Sequence, residues 1–291
     1  GVLVADGAEP IYRHSFTTRY LYYDGRRLRE ILLGIPSPRD AVFTPDGRNI
    51  VFSSRNNLYV YNIERQGTRQ ITRDGRWNET INGTTDWVYE EEFGFTRAFA
   101  VSPDSRRIAY LRFDESEVPL MEMMRFDGKL YNRAYSFKYP KAGERNSVVQ
   151  LWIADLETGA RERIDTGGEA DQYIPRIGWT PDGRLYYFQY PKAGDANSVV
   201  TLHVFDLETG RTTKVDTGAD TTQYIPRIGW TPDGRPWYYR LNRRQNTFEM
   251  IVCEPHGAQR TVYEERAQQY VERVDDGTVT FVDRDRFLVQ Q

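Results

Sequence analysis

Thirteen consecutive residues occur twice in this chain without a single change. Residues 172–184 read QYIPRIGWTPDGR, and residues 223–235 read the same. The similarity extends at a constant offset of 51 residues and aligns 139–189 with 190–240, where about 32 of the 51 positions are identical. A period of this length is typical of folds built from repeated units. Because surface positions match as well as turn and core positions, the pair predicts a recent duplication or deliberate engineering.

A turn containing Pro-Asp or a close variant recurs between apolar, alternating runs. Proline presets φ at the second turn position, and Asp can accept hydrogen bonds from the backbone ahead of it, so each occurrence predicts a tight hairpin connection. A second turn type interleaves with the first without a break. The Pro-Asp turns lie at 44–47, 102–105, 180–183 and 231–234, with a degenerate copy at 282–285. The second type lies at 24–25, 62–67, 155–159, 206–210 and 254–257.

Five turns of each type predict an all-β fold, a β-propeller of five four-stranded blades, because two hairpins make one antiparallel blade. The predicted closing blade is shared between the termini, with 270–291 joined to 1–35, so that 1–291 forms a single domain. Either 2–5 or 287–289 could fill one of its strands. The long insertion 114–138 is predicted to project as an arm. The other four blades are predicted at about 41–72, 98–166, 173–217 and 224–264.

Charge and composition argue against several classes of function. The chain carries 39 Lys and Arg against 42 Asp and Glu, with the two signs mixed, which indicates neither a nucleic-acid nor a membrane partner. No apolar stretch is long enough to cross a bilayer, and the opening residues lack the features of a signal peptide. Cys253 is the single cysteine, which excludes internal disulfides and cysteine-rich metal sites. Phosphate-loop, zinc and calcium motifs are absent from the sequence, so no metal or cofactor is expected.

Four segments together resemble the N-terminal propeller of the dipeptidyl peptidase IV family, and the bacterial exported members look most similar. Within these segments DWVYEEE is highly specific, because seven residues of mixed chemistry rarely match by chance. The resemblance covers nearly the whole chain, apart from the extra copy around 190–240. The segments are IYRHSFTTRYLYYD at 11–24, NGTTDWVYEEEFGF at 82–95, RFDESEVPLMEM at 112–123 and YPKAG at 139–143.

The resemblance implies a role for three charged residues. In that family the propeller covers an α/β-hydrolase domain and forms one wall of the substrate cavity. Glu91 and Glu92 match the pair that accepts the free N-terminal ammonium of a peptide, and Arg13 matches the arginine that supports this pair and contacts a substrate carbonyl. The chemistry agrees, since an α-ammonium has three donors that two adjacent carboxylates can accept. The resemblance also implies that the arm serves in dimerisation, and that the parent family is periplasmic or extracellular; the location of this chain is left open.

The chain also departs from the family. The nucleophile of these peptidases sits in a Gly-x-Ser-x-Gly elbow, and that pattern does not occur in the sequence. None of the three histidines, His14, His203 and His256, follows a candidate Ser–Asp series in the required order. The family propeller has eight blades, whereas the turns here predict five.

These observations favour a non-catalytic engineered or designed propeller scaffold. Two alternatives stay open. One is a binding module with weak residual affinity for peptides that have a free N-terminus, through Glu91, Glu92 and Arg13. The other is a fragment of a secreted Xaa-Pro dipeptidyl peptidase without its hydrolase domain. A homodimer through the arm is a further expectation.

Overall fold

The structure is a computed structural model that divides into two compact units, Gly1–Gly178 and Trp179–Gln291. The second YPKAG copy within 190–198, the turn residues 255–257 and residue 285 lie outside the described residues. The structure describes residues 1–32, 34–126, 128, 130–167, 172–189, 199–207, 209–254, 258–271, 278–284 and 286–289.

The first unit begins with a three-stranded antiparallel sheet in the order β1-β2-β3. The turn between its second and third strands forms because Asp24 Oδ1 accepts hydrogen bonds from the backbone N–H groups of Arg26 and Arg27, at 2.7 and 2.8 Å. Tyr20 and Ile31 are buried in this sheet and belong to one apolar cluster with Phe52 of the following sheet. The strands are β1 (Val2–Pro10), β2 (Phe16–Tyr23) and β3 (Leu28–Ile31).

The second sheet has four strands in sequential order and covers 39–70, so it begins two residues before the predicted blade 41–72. Its first hairpin is the Pro-Asp turn. Thr44 Oγ1 donates to Asp46 Oδ1 at 2.6 Å, and the same carboxylate oxygen accepts from the N–H of Arg48 at 3.0 Å, as the turn chemistry predicts. The strands are β4 (Arg39–Phe43), β5 (Asn49–Ser54), β6 (Asn57–Asn62) and β7 (Gly67–Gln70).

The third sheet follows the order β14-β13-β10-β8, and β9 pairs with β10 beside this path. A short helix, α1 (Trp87–Phe93), lies between β8 and β9 in sequence. Within the arm, β11 and β12 form a separate two-stranded antiparallel sheet. The strands are β8 (Thr80–Asn82), β9 (Phe99–Val101), β10 (Arg107–Asp114), β11 (Leu120–Arg125), β12 (Arg133–Lys138), β13 (Val148–Asp155) and β14 (Arg161–Arg163).

The remaining strands form two sheets of four strands, each in sequential order, and one two-stranded sheet. The repeated Pro-Asp turns fold alike: the N–H of Thr180 donates to Arg184 O at 2.7 Å, and that of Thr231 donates to Arg235 O at 2.9 Å. The strands are β15 (Ile177–Trp179), β16 (Leu185–Gln189), β17 (Thr201–Asp206), β18 (Arg211–Val215), β19 (Ile228–Trp230), β20 (Pro236–Leu241), β21 (Thr247–Cys253), β22 (Gln259–Arg266), β23 (Val279–Phe281) and β24 (Phe287–Val289).

The four internal blades stay predictions, and the sheets depart from their bounds in two places: β4 begins at Arg39, before 41, and β8 at Thr80–Asn82 belongs to the third sheet although it precedes 98. At the ends of the chain, residues 2–5 belong to β1, which pairs with β2, and residues 287–289 form β24, which pairs with β23. The single domain, the count of five blades and the shared closing blade stay predictions.

Candidate functional site

The DWVYEEEFG motif folds into the helix α1 because both of its ends carry capping residues. At the N-cap, Asp86 has extended backbone and its Oδ1 accepts a hydrogen bond from the N–H of Tyr89 at 2.9 Å. At the other end, Gly94 has φ of 70° in the left-handed region that favours glycine. The acidic triplet therefore lies on a helix of defined ends.

The three glutamates of the triplet occupy different environments, since successive helical residues point about 100° apart. Glu90 is buried, with 1% of its surface exposed. The Glu91 side chain is 12% exposed, and Glu92 is exposed at the surface. The triplet thus presents Glu92 to solvent, Glu91 at the rim and Glu90 to the interior.

Glu90 joins α1 to the segment that carries Arg13. Its Oε1 accepts hydrogen bonds from the backbone N–H groups of His14 at 2.9 Å and of Ser15 at 2.8 Å. Hydrogen bonds to a carboxylate are stronger than those between neutral groups, so this contact fixes the position of the two segments relative to each other. The sequence predicts no separate role for Glu90. Its position in the acidic triplet is the one feature of the sequence that marks it.

Arg13 and Glu91, which the sequence assigned to one site, lie together in the structure. Arg13 Nε is 3.2 Å from Glu91 Oε2, and the arginine side chain is 73% exposed. Glu92 follows directly on the same helix, at its exposed end. The structure thus pairs Arg13 with Glu91, and Glu92, the next residue after Glu91, is exposed to solvent.

The inner face of α1 is anchored by Tyr89. Its hydroxyl accepts a hydrogen bond from the N–H of Ile174 at 2.7 Å, and its ring contacts those of Phe93 and Phe113 edge-on. Burial raises the pKa of Tyr89 well above its ordinary value. The helix is therefore fixed to the interior of the first unit.

A second anchor of the helix is its N-cap residue. Asp86 Oδ2 accepts a hydrogen bond from Ser147 Oγ at 2.6 Å. Burial raises the pKa of the Asp86 carboxyl, and the hydrogen bonds from Ser147 and from the backbone oppose that rise. The helix start is therefore tied to the segment that leads into β13.

Comparison with known proteins identifies the family. The model of the dipeptidyl peptidase IV (DPP IV) N-terminal region matches residues 1–189 and again residues 184–290. The chain belongs to this family. The resemblance inferred from the four sequence segments is confirmed, and so are the all-β class and the propeller type of the fold.

Individual members of the family resemble the chain over much of its length. Dipeptidyl peptidase 4 of Sus scrofa is 28% identical over 261 residues, which cover 84% of this chain and 34% of that protein. Inactive dipeptidyl peptidase 10 of Rattus norvegicus is 32% identical over 193 residues, covering 63% and 24%. The crystal structure of Porphyromonas gingivalis dipeptidyl peptidase 4 aligns with a TM-score of 0.63 and 26% identity, over 90% of this chain and 44% of that one.

The chain spans about a quarter to a third of the length of the curated relatives that it matches. In the part of the chain that the structure describes, no group of three or more His, Cys, Asp or Glu side chains is placed to hold a metal ion. A search of those same residues finds no helix with the length and apolar character needed to span a membrane.

Proposed function

We propose that Glu91 and Glu92 bind the free N-terminal ammonium of a peptide, and that Arg13 supports this pair and contacts a carbonyl of the same peptide. The observation that supports this most directly is the contact between Arg13 Nε and Glu91 Oε2, because it brings a residue from the start of the chain to the acidic helix. Glu90 supports the same arrangement from inside through His14 and Ser15.

The geometry leaves acceptors for an ammonium. Arg13 engages one oxygen of Glu91, so the other oxygen of Glu91 and both oxygens of Glu92 can accept the three N–H donors of an α-ammonium. Because Arg13 and Glu92 are exposed, solvent weakens these charge interactions, and the affinity is expected to be weak, on the order of millimolar.

An NMR titration tests this function. A dipeptide amide with a free N-terminus is added to the protein, and its N-acetylated form is the matched ligand control. We expect shifts at Glu91 and Glu92 with the free amine, and loss of those shifts with the acetylated ligand and in the double variant Glu91→Gln, Glu92→Gln. Glu122→Gln, an exposed change on β11, is the control variant. Equal response to both ligands contradicts the proposal.

We further propose that the 291 residues alone do not hydrolyse peptides and act as the N-terminal region of a dipeptidyl peptidase. The sequence has no Gly-x-Ser-x-Gly nucleophile motif, and one relative that shares this region is itself named inactive. The purified chain is expected to release no product from a chromogenic Xaa-Pro substrate, and measurable turnover would overturn this part of the proposal.

The verbatim repeat favours a second candidate, an engineered five-bladed scaffold derived from such a propeller. Its support is the identity of 172–184 with 223–235 and the double match of one family model to the two parts of the chain. In this proposal β1–β3 and β23–β24 share the closing blade. A crystal structure or electron cryo-microscopy map tests it: five blades in a closed ring support it, whereas six or more blades or an open ring refute it.

We also propose that the arm, residues 114–138, mediates a homodimer. Several large apolar side chains of the arm are exposed, an unusual concentration for a surface that stays in water. Sedimentation equilibrium should show a dimer that becomes monomeric in the variant Met123→Asp, Met124→Asp, and a monomeric parent chain would contradict the proposal. The exposed residues are Leu120, Met123, Met124, Phe126, Leu130 and Tyr131.

A further inference from the structure

The first unit contains a cavity of about 290 Å³, and neither Arg13 nor Glu91 is among the residues that line it. Tyr12, one residue before Arg13, forms part of its wall, and Trp87 at the start of α1 forms another part. Ile11, Trp77 and Ile81 add apolar surface. The volume suits a ligand the size of one amino acid.

Five charged side chains line this cavity, and three of them are already satisfied or solvated. Asp86 accepts hydrogen bonds from Tyr89 N and Ser147 Oγ. Lys138 Nζ donates to the backbone carbonyls of Ser116 at 3.0 Å and Val118 at 2.7 Å. Arg55 is exposed to water.

The other two charged side chains, Glu115 and Arg39, each have polar atoms without a hydrogen-bond partner among the described residues. Glu115 is 6% exposed, and no hydrogen bond or ion pair to its carboxyl exists among the described residues. Arg39 donates from Nε to Asp40 Oδ2 at 2.9 Å, but its buried Nη2 has no acceptor in the described part of the chain. The two groups are not paired with each other, although charges of both act on the hydroxyl of Tyr12.

Thr85, which also lines the cavity, has a second donor without a partner in the part of the chain that the structure describes. Thr85 is buried, and its Oγ1 has no hydrogen-bond partner among the described residues. A chain of hydrogen bonds connects Thr85 to Arg39: the N–H of Thr85 donates to the carbonyl of Thr96 at 3.1 Å, and Thr96 Oγ1 donates at 2.8 Å to Asp40, the partner of Arg39. The lining of the cavity therefore contains two donors without partners in the described part of the chain, Arg39 Nη2 and Thr85 Oγ1, and one acceptor group, the carboxyl of Glu115.

We propose that this cavity binds a free α-amino acid with an apolar side chain, with the ammonium at Glu115 and the carboxylate at Arg39 Nη2 and Thr85 Oγ1. A buried donor or acceptor without a partner costs free energy, and a zwitterion supplies the missing partner to both. The rings of Trp77, Trp87 and Tyr12 can contact the apolar side chain. This site is separate from the proposed peptide site and does not depend on it.

The protonation of Glu115 sets the pH dependence of binding. Burial, together with the charges of Asp86 and Asp114, raises the pKa of its carboxyl to about 7, while the charge of Lys138 opposes this rise. Tyr12 also faces this carboxyl and stays neutral because burial raises the pKa of its hydroxyl. Since the ammonium prefers the ionised carboxylate, affinity should increase as the pH rises from about 6 to about 8.

Calorimetric titration with leucine tests the proposal. The protein carries Glu91→Gln and Glu92→Gln, so that an ammonium cannot be captured at the peptide site. Leucine should bind, whereas N-acetyl-leucine, which lacks the ammonium, and leucinamide, which lacks the carboxylate, should each bind at least about tenfold more weakly. Absence of leucine binding, or equal binding of either derivative, overturns the proposal.

Variants locate the site. Glu115→Gln and Thr85→Val should each weaken leucine binding by about tenfold or more. Glu117→Gln is the matched control, because this carboxylate lies two residues along and its side chain is 73% exposed. Circular dichroism checks that each variant is folded. If a variant is not folded, the comparison of leucine, N-acetyl-leucine and leucinamide on the Glu91→Gln, Glu92→Gln protein tests the proposal. Loss of binding in Glu117→Gln as well would overturn the assignment.

Discussion

Glu90 Oε1 lies 2.8 Å from the backbone nitrogen of Ser15, a residue 75 positions earlier in the chain. The same oxygen accepts from the N–H of His14. One buried carboxylate therefore joins α1 to the backbone of the segment that follows Arg13, and the ion pair of Arg13 with Glu91 lies beside this contact.

Replacing Glu90 with alanine should lower the free energy of unfolding by about 1–3 kcal/mol, because two buried backbone donors lose their acceptor. Urea denaturation followed by circular dichroism measures the change. Glu92→Ala is the control, since that side chain is exposed and its loss should cost at most about 0.5 kcal/mol. Similar losses in both variants would show that Glu90 does not hold the segment.

Tyr89→Phe removes the hydroxyl that accepts from Ile174 while keeping the buried ring. The variant should be less stable by about 1 kcal/mol, as the N–H of Ile174 is left without its acceptor in the interior. Tyr131→Phe makes the same chemical change at a side chain that is 80% exposed, and it should leave the midpoint of denaturation unchanged. An unaltered midpoint for Tyr89→Phe would contradict the role of this hydrogen bond.

Glu115→Gln should change the pH dependence of stability. The folded protein binds the Glu115 proton more tightly than the unfolded chain, since the pKa is raised from 4.5 to about 7, so the parent protein loses stability as the pH rises between these values. The glutamine variant does not have this loss. Its stability relative to the parent should therefore increase by on the order of 2–3 kcal/mol from about pH 4 to about pH 8.

Urea denaturation of both proteins across this pH range measures the difference, and using the difference cancels the contributions of the other titrating groups. Glu117→Gln serves again as the control, because it makes the same chemical change at an exposed carboxylate two residues away. Parallel curves for parent and Glu115→Gln would show that the buried carboxyl does not titrate near neutrality.

Gly94→Ala tests the end of α1. A side chain at φ of 70° is strained, so the variant should lose about 1 kcal/mol of stability and shift the exposed end of the helix that carries Glu92. Gly67→Ala is the matched control, because a Cβ there would meet nothing closer than a backbone oxygen at 3.9 Å. Thermal denaturation compares the two variants, and equal midpoints would argue against capping by Gly94.

Much of the strand pattern could be predicted because its causes are local. The Pro-Asp turns depend on residues within five positions of one another, such as Thr44 and Asp46, and the structure shows the hydrogen bonds that this chemistry requires. The pairing of Arg13 with Glu91 could be predicted from the family resemblance, since it joins segments that no local rule connects.

Other features depend on distant contacts and could not be predicted in the same way. Alternation of apolar and polar residues does not show that Glu90 points inward while Glu92 points to solvent. Nor does it show that Glu115 and Arg39, which are 76 positions apart, line one cavity. Both facts follow from how separate segments pack, which a strand period of two residues does not encode.

The identical turns at Thr180 and Thr231 have a consequence for refolding. Each turn is built from the same residues and closes with the same backbone hydrogen bond. During refolding from denaturant, a strand that belongs beside one turn can therefore pair with the equivalent strand beside the other turn. Molecules with such exchanged strands compete with molecules that have the native pairing. Such molecules would be slow to rearrange, because every misplaced strand must first be released.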